Sequence, residues 1–358
     1  MTPSALCPLY GQAAGARNDG HAGLYYDKFF GNWLREDGNW SLKNKDGRSP
    51  KQEWINEITK RIVGDAGLLG EYRRRIWQLV TARGGQVWVY KTEERLVTGT
   101  GRSHPVENGF VWHPVLGVPY LPGSSIKGLI GQADREKVLG SRTQVGRVIC
   151  LDAVPICPVK LEADVMTPHY SPWSAENPPG DWRSPTPIPF LTVAPGAEFL
   201  LAGFPRTRHD SDAVAMVGTW LEEALRDTGA GAKTAVGYGR MNLVPEERVP
   251  WLKDLRREAE LAQKARLEQQ RLARMDPLDR ELEEIGAECK DPNIKRWALW
   301  LKELERSRWP DPNQAKSVAQ RIRAAMEADA SWRPETRSKN PAKDHGHQKT
   351  ILVMKHLA

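Results

Sequence analysis

Between residues 83 and 248 the sequence runs strand, helix, strand, strand, helix, strand, which predicts an α+β fold of the ferredoxin-like (RRM-like) kind with long loop insertions. Past Pro250 the composition turns to Ala, Leu, Glu, Arg, Lys and Gln, which predicts an all-helical C-terminal extension. The chain has 358 residues, 40% of them hydrophobic, enough for two modest cores. Four segments follow: an irregular and helical region over 1–82 packed on the core, the α+β domain over 83–248, the helical extension over 249–333, and a flexible tail over 334–358.

Residues 1 to 50 are rich in Gly, Asn and Asp around aromatic clusters such as 24–30, show no period, and predict irregular structure. Over 51–82, Trp54, Ile55, Ile58 and Ile62, then Leu69, Ile76, Leu79 and Val80, fall near helical spacing broken by Gly64, Gly67 and Gly70, which gives a helical pair. Residues 86–99 alternate as a strand, followed by a Gly, Pro and His-rich stretch over 100–122. Ser124 and Ser125 then stand as the N-cap of a helix over 126–139. Strands bent at Pro155 and Pro158 follow over 147–165, and 166–189 is a proline-rich loop long enough to suspect a function. Residues 188–204 give strand, turn and strand about Pro195-Gly196. Residues 212–227 place Val214, Val217, Trp220, Leu221 and Leu225 on one helix face, and a glycine-rich turn leads to a last strand over 238–244.

In the extension, residues 251–275 form a long charged helix. Asp276-Pro277, Asp291-Pro292 and Asp311-Pro312 each set a capping carboxylate before a proline suited to the first helical position, so each starts a helix. The apolar stripes Leu278/Leu282/Ile285, Trp297/Leu301/Leu304 and Val318/Ile322/Met326 belong to helices too short to stand alone in water. Packing onto the α+β body or a neighbouring subunit is expected. Residues 334–350 carry charge and proline with little to bury.

Fifty-two Lys/Arg against 45 Asp/Glu give a net charge of +7, which favours a polyanionic partner. Residues 251–358 hold 23 Lys/Arg and 18 Asp/Glu, so the front of the chain carries only +2 and must bind any polyanion through a local patch. No apolar run approaches the roughly 18 residues of a membrane helix, and the start lacks a basic segment followed by an apolar one. A cytoplasmic protein without membrane contact is expected. Cys7, Cys150, Cys157 and Cys289 are too scattered for a zinc site or a disulfide framework. Several of the 14 Trp, Trp112, Trp173 and Trp182 among them, sit in loops and are expected to anchor them.

The sharpest motif is GAGAKTAVGYGR, residues 229–240, with four glycines, Lys233 and Thr234 between a helix and a strand. Ala232 precedes Lys233 where a Walker A loop has Gly, and a G-x-G-x-x-G frame from Gly229 ends on Thr234, so nucleotide fingerprints do not fit. What remains is a backbone able to approach a phosphate, with charge from Lys233 and Arg240; the plainer alternative is a turn that packs a helix on the last strand. Ser124 and Lys127 match S-x-x-K without its companion motifs. Read with Pro122 and Gly123, the same residues make a helix-start anion site, or else an ordinary cap with a solvated lysine. His104 and His113 lack a third ligand at metal spacing. Asp152, Glu162 and Asp164 offer acid chemistry only weakly, because adjacent strand positions alternate faces.

Taken together and in order, GTGRSHPVENGFVWHPVLGVPYLPGSSIKGLIG, LDAVPICP, DVMTPHYSPW with FLTV, and GAGAKTAVGYGRM resemble the RAMP superfamily of type III CRISPR effector complexes, most closely the sixth-subunit branch of the Cmr (type III-B) complex. The resemblance covers about residues 95–245. It implies an RRM-like RAMP domain that binds guide RNA through Gly231, Lys233, Thr234, Gly237, Tyr238, Gly239 and Arg240, through Gly123, Ser124, Ser125 and Lys127, and through Arg102 and His104. It further implies guide and target RNA as partners, other RAMP subunits as neighbours, a place capping the backbone filament near the 3′ part of the guide, and no cofactor. Related backbone subunits cut target RNA with an aspartate between the first strand and the PGSS helix. No Asp lies between Gly99 and Gly123 and Glu107 is the only acid there, so a non-catalytic role in antiviral defence is expected. The competing readings are an endoribonuclease using His104 or His113 as general base and a protein-interaction scaffold.

Overall fold

The computed structural model describes residues 20–36, 39–45, 47, 49–131, 135–167, 185, 187–287, 291, 294–336 and 343–357. The chain divides into two units, Met1–Leu255 and Arg256–Ala358. The proline-rich loop with Trp173 and Trp182, together with Cys7 and Cys289, falls outside the described residues.

The first unit opens with helix α1 (Ala22–Lys28), the hairpin β1 (Leu34–Glu36) and β2 (Asn39–Ser41), helix α2 (Pro50–Thr59), the short β3 (Ile62–Val63) and helix α3 (Ala66–Ala82). Then come β4 (Gln86–Thr92), α4 (Gly123–Ile130), α5 (Glu136–Leu139), β5 (Val148–Cys150), β6 (Val154–Pro155), β7 (Val159–Met166), β8 (Ile188–Val193), β9 (Glu198–Pro205), α6 (Ser211–Asp227) and β10 (Met241–Leu243). This is a mixed helix and sheet unit with antiparallel sheets. The main sheet has the order β10-β4-β9-β5, with β6 also on β9.

The apolar run of β9 dictates that arrangement, because a short continuous run suits a strand buried on both faces. Phe199 and Leu201 join Tyr90 of β4 in a core with Ile126 and Ile130 of α4 and Val214, Val217, Leu221 and Leu225 of α6. Ala202 and Phe204 face the other way, against Val80 and Ile76 of α3. Full burial of each large side chain stabilises by about 1.5–3 kcal/mol. A second sheet, β3-β7-β8, packs its apolar residues Leu161, Leu191 and Val193 in one core with Ile55 and Ile58 of α2. Leu96 and Val193 exchange backbone hydrogen bonds of 3.1 and 2.8 Å, which tie the segment after β4 to β8.

Three expectations are corrected here. The region before residue 50 contains α1 and a hairpin; Ala22 and Tyr26, one helical turn apart, are buried, a single repeat too short to show as a period. The strand after residue 86 ends at Thr92. Finally, α4 starts at Gly123 with Pro122 as N-cap and makes no side-chain cap of its own; the Gly123 N–H donates to Asp152 Oδ1 at 2.7 Å. Gly123 lies so close to the Cys150 carbonyl that a Cβ would stand 2.4 Å from it, which fixes the helix start ahead of the two serines. The helix ends at Ile130, with Gly131 extended.

Helix α7 (Pro250–Arg274) leads into the second unit, which holds α8 (Pro277–Ala287), α9 (Arg296–Glu305), α10 (Pro312–Ala328) and α11 (His345–Leu357). Asp276 caps α8 through the Leu278 N–H (2.9 Å) and Asp311 caps α10 through the Asn313 N–H (3.1 Å), as the Asp-Pro pairs predict. Asp291 instead heads a turn, accepting the Ile294 N–H on its carbonyl, and α9 begins after Lys295. The stripes bury one another: Leu282, Ile285, Trp297, Leu301, Leu304, Val318, Ile322, Met326 and Val353 form one core. They therefore meet their packing need within the extension itself. The expected flexible tail contains α11, whose Thr350 and Val353 are fully buried; the charge and proline before it outweigh a stripe this short in any composition window.

Two stability predictions follow from capping and charge. Asp152→Ala is expected to cost about 1 kcal/mol of unfolding free energy as a lost cap, whereas Ser124→Ala stays within about 0.5 kcal/mol; denaturant titration separates them. In the second unit, burial pushes the Asp329 carboxyl up, but Lys295, Ser331 and the Trp297 indole N–H outweigh it and hold it at about 2. That lies below the roughly 3.9 of an unfolded aspartate, so its stabilisation is present above about pH 4 and is lost as the pH falls toward 2. Asp329→Ala is expected to lower the Tm at pH 7, with a deficit that shrinks at pH 2.5.

Candidate nucleic-acid interface

The loop between α6 and β10 is pinned at its base by backbone. The Ala230 N–H donates to the Gly239 carbonyl (2.8 Å), the Ala232 N–H to Val97 (2.7 Å) and the Gly239 N–H to Arg95 (2.8 Å). At Gly239, φ is +76° and a Cβ would stand 1.8 Å from the Ala230 oxygen; at Gly231, φ is +88° and a Cβ would stand 2.2 Å from the Val97 oxygen. These two glycines serve close packing of backbone on backbone, not suppleness toward a phosphate. That part of the motif follows the plainer alternative.

The tip differs. Lys233 adopts a left-handed φ of +61° and leads a single 3₁₀ turn over Thr234–Val236 that closes at Gly237, which faces open space. A left-handed conformation in a non-glycine residue costs of the order of 1 kcal/mol or more and persists only where its surroundings over-determine it. The Lys233 ammonium stands 5.3 Å from the centroid of the Phe190 ring on β8, an attraction of about 0.5–1 kcal/mol at an accessible site. Val236 at the tip is 72% exposed.

Beneath the loop lies a charged cluster. On β7, Lys160, Glu162 and Asp164 occupy alternate positions and so share one face. Arg95 bridges both acids, with Nε 3.1 Å from Glu162 Oε2 and Nη1 3.1 Å from Asp164 Oδ2, and Lys160 Nζ is 3.2 Å from Glu162 Oε1. The Tyr238 hydroxyl donates to the same Asp164 Oδ2, and its ring lies 6.1 Å from that of Phe190. Burial, and then the bond to Asp164 and its charge, push the Tyr238 hydroxyl up to about 12. Burial alone would raise the Asp164 carboxyl, but Tyr238, the Val165 N–H and Arg95 bring it below the usual carboxylate range. The proton therefore stays on Tyr238. The two acids are neutralised ion-pair partners, and the alternation argument that separated them fails because they are two residues apart.

The helix start lies beside this loop: Ser125 and Ile126 line one narrow cleft with Leu121, Leu201, Ala230 and Gly231. Ser124 and Ser125 are exposed and Lys127 is half-buried. The Gly123 N–H is already taken by Asp152, so any anion here meets a helix end with one donor filled. Arg240 is exposed next to the loop.

Arg102 and His104 belong elsewhere, on the loop packed against α1. Arg102 is exposed, while His104 stacks on Tyr26 at 4.2 Å. Its Nδ1 accepts the Val106 N–H (3.2 Å), which leaves the proton on Nε2 for the Tyr26 carbonyl (2.9 Å). Burial lowers its pKa further. Both nitrogens are committed inside the protein, which removes His104 as a nucleic-acid contact or general base. His113 Nδ1 likewise accepts the Val115 and Leu116 N–H groups. Glu107 pairs with Lys51. Among the described residues no three His, Cys, Asp or Glu side chains gather as a metal site, and no helix is long and apolar enough to cross a membrane. Cys150 and Cys157 are free thiols. Sequence reasoning missed Arg95, Lys160 and Phe190; the alternation of three charges on β7 is the signal that a polar face needs a partner.

Residues 89–242 match the RAMP superfamily model. Among characterised proteins, the chain is 30% identical over 228 residues to the CRISPR system Cmr subunit Cmr6 of Pyrococcus furiosus, covering 42% of this chain and 66% of that protein. It is 31% identical over 150 residues to the CRISPR system CMR subunit Cmr6 of Saccharolobus solfataricus, covering 38% and 49%. The matched stretch thus spans just under two thirds of one relative and about half of the other. Of solved structures, a chain of the type III-B Cmr-beta complex bound to cognate target RNA aligns at 23% identity and TM-score 0.46 over 54% of this chain and 71% of its own. The crystal structure of Cmr6 from Pyrococcus furiosus aligns at 26% and 0.30 over 45% and 97%. Residues 89–242, which enclose the glycine-rich loop and the PGSS helix, are a RAMP superfamily segment, and the chain is similar to Cmr6 proteins.

Proposed function

We propose that this protein is a non-catalytic, RNA-binding subunit of a type III-B CRISPR effector complex, working in the cytoplasm in antiviral defence, and that it contacts the RNA backbone through the tip of the 229–240 loop and the exposed start of α4. The observation that carries this reading is Lys233, held in a strained left-handed conformation at the tip of a loop whose base is pinned, within the RAMP-matched segment. The curated relatives are named as Cmr subunits of a CRISPR system, which supports guide and target RNA and other RAMP subunits as partners. A position capping the filament near the 3′ part of the guide is part of the same proposal.

The fold supports a loop-based mode of binding. Numbering β4, β5, β9 and β10 as strands 1 to 4, the observed order is 4-1-3-2 with all pairs antiparallel, in keeping with a ferredoxin-like core. An RRM stacks bases on the open face of such a sheet. Here α3 covers one face and α4 with α6 the other, so the accessible cations around the loop are left to hold RNA. The ribonuclease reading needs a general base, yet His104, Glu107, Glu162 and Asp164 are all engaged by partners in the protein.

Lys233→Ala is expected to weaken single-stranded RNA binding by about threefold to tenfold whatever the sequence, and to lower the slope of log K against log salt by about one, as for the loss of one phosphate contact. Fluorescence anisotropy over a salt series measures both. Unchanged affinity and slope would sink the loop assignment, and defined cuts in the RNA in the presence of Mg²⁺ would restore the enzyme reading.

A further inference from the structure

The cation of the loop tip and its anchor stand on different sheets. Lys233 belongs to the loop that enters β10 of the main sheet, whereas Phe190 beneath it and Asp164 beside it belong to β8 and β7 of the second sheet. Backbone hydrogen bonds fix the loop only at its base, through Ala230, Ala232 and Gly239. The 3₁₀ turn over Thr234–Val236 closes on itself, with the Val236 N–H bonding to the Lys233 carbonyl and the Gly237 N–H to that of Thr234. On the distal side, Tyr238 provides the side-chain tie to the β7–β8 sheet.

We propose that the Tyr238–Asp164 hydrogen bond is a clamp that positions the Lys233 tip, with Arg95 as its brace, so that Tyr238 serves RNA binding by holding the loop and not by touching RNA. This rests on the RNA-binding reading of the loop. Arg95 acts on the clamp from two sides: its carbonyl accepts the Gly239 N–H at 2.8 Å, and its guanidinium neutralises the acceptor Asp164 together with Glu162. Without that guanidinium, Asp164 would lose its counterion beside a loop that receives a polyanion, while Glu162 would keep Lys160. Arg95 is thus the counterion of the clamp, although its charge alone would mark it as an RNA contact. Tyr238 loses its freedom to stack on a base because its hydroxyl is fixed on Asp164 and its ring leans on Phe190. The left-handed strain at Lys233 is sustained because the loop is held on both sides of the tip.

The test uses the full chain with Tyr238→Phe, which removes one oxygen and leaves the ring. Hydrogen exchange at the amides of 233–237 is expected to accelerate about tenfold, the change expected for one hydrogen bond to a charged group, and RNA affinity to fall by no more than the roughly threefold to tenfold of Lys233→Ala, because Tyr238 acts through the tip. The salt slope is expected to stay unchanged, since no phosphate contact is removed. Asp164→Asn keeps an acceptor for the hydroxyl and should bind within about threefold of wild type, whereas Asp164→Leu should behave as Tyr238→Phe. Wild-type exchange rates in Tyr238→Phe would overturn the clamp; a lowered salt slope would make Tyr238 part of the contact surface and overturn the positioning role. If Lys233→Ala leaves RNA binding untouched, the RNA reading of the loop fails, while the exchange rates still decide whether the clamp exists.

Discussion

Residues 95–97 form a short extended segment whose backbone is shared between two neighbours, and the candidate interface depends on that sharing. Leu96 exchanges both of its hydrogen bonds with Val193 of β8, while the carbonyls of Arg95 and Val97, pointing the opposite way, accept N–H groups from Gly239 and Ala232. One strand-like stretch therefore registers the glycine-rich loop against the second sheet. The glycines at 231 and 239 are required because the loop backbone comes so close to its partners that no Cβ fits. The side chain of Arg95 extends the same bridge by pairing with Glu162 and Asp164.

From this bridge follows a division of labour along the loop. Its base is a rigid backbone contact and its tip carries the half-buried Lys233 and Thr234 and the exposed Ala235 and Val236. Helices close both faces of the main sheet, so the flat surface that RRM domains use is covered, and the proposed RNA surface is the edge built from loop and helix start. In the proposed role a backbone contact of this sort is indifferent to base sequence, since phosphate contacts position a nucleic acid without reading it.

The sequence displayed the parts whose signals are local. The apolar run of β9 and the one-sided stripe of α6 gave the α+β order, and Asp276 and Asp311 lie next to the helices they cap. Parts set by distant partners were illegible. The cap of α4 comes from Asp152, 29 positions away, and Tyr238 meets Asp164 across 74. The glycine-rich motif was visible as a motif, but whether its glycines serve a phosphate or a nearby carbonyl depends on where Val97 and Ala230 lie. His104 stood among the RNA contacts that the resemblance implies, and nothing near it in the chain announces Tyr26 as its partner. Helix α11 was hidden by the charge and proline preceding it, although Val353 reaches the core of the second unit.

The central claim, that the loop tip and helix start form the RNA surface, is tested most directly by photo-crosslinking the full chain to 4-thiouridine-substituted single-stranded RNA and mapping the modified peptides by mass spectrometry. The account predicts adducts concentrated in residues 231–240 with a second group over 123–127. Adducts confined to α7 and the helical unit, with none in the loop, would contradict it.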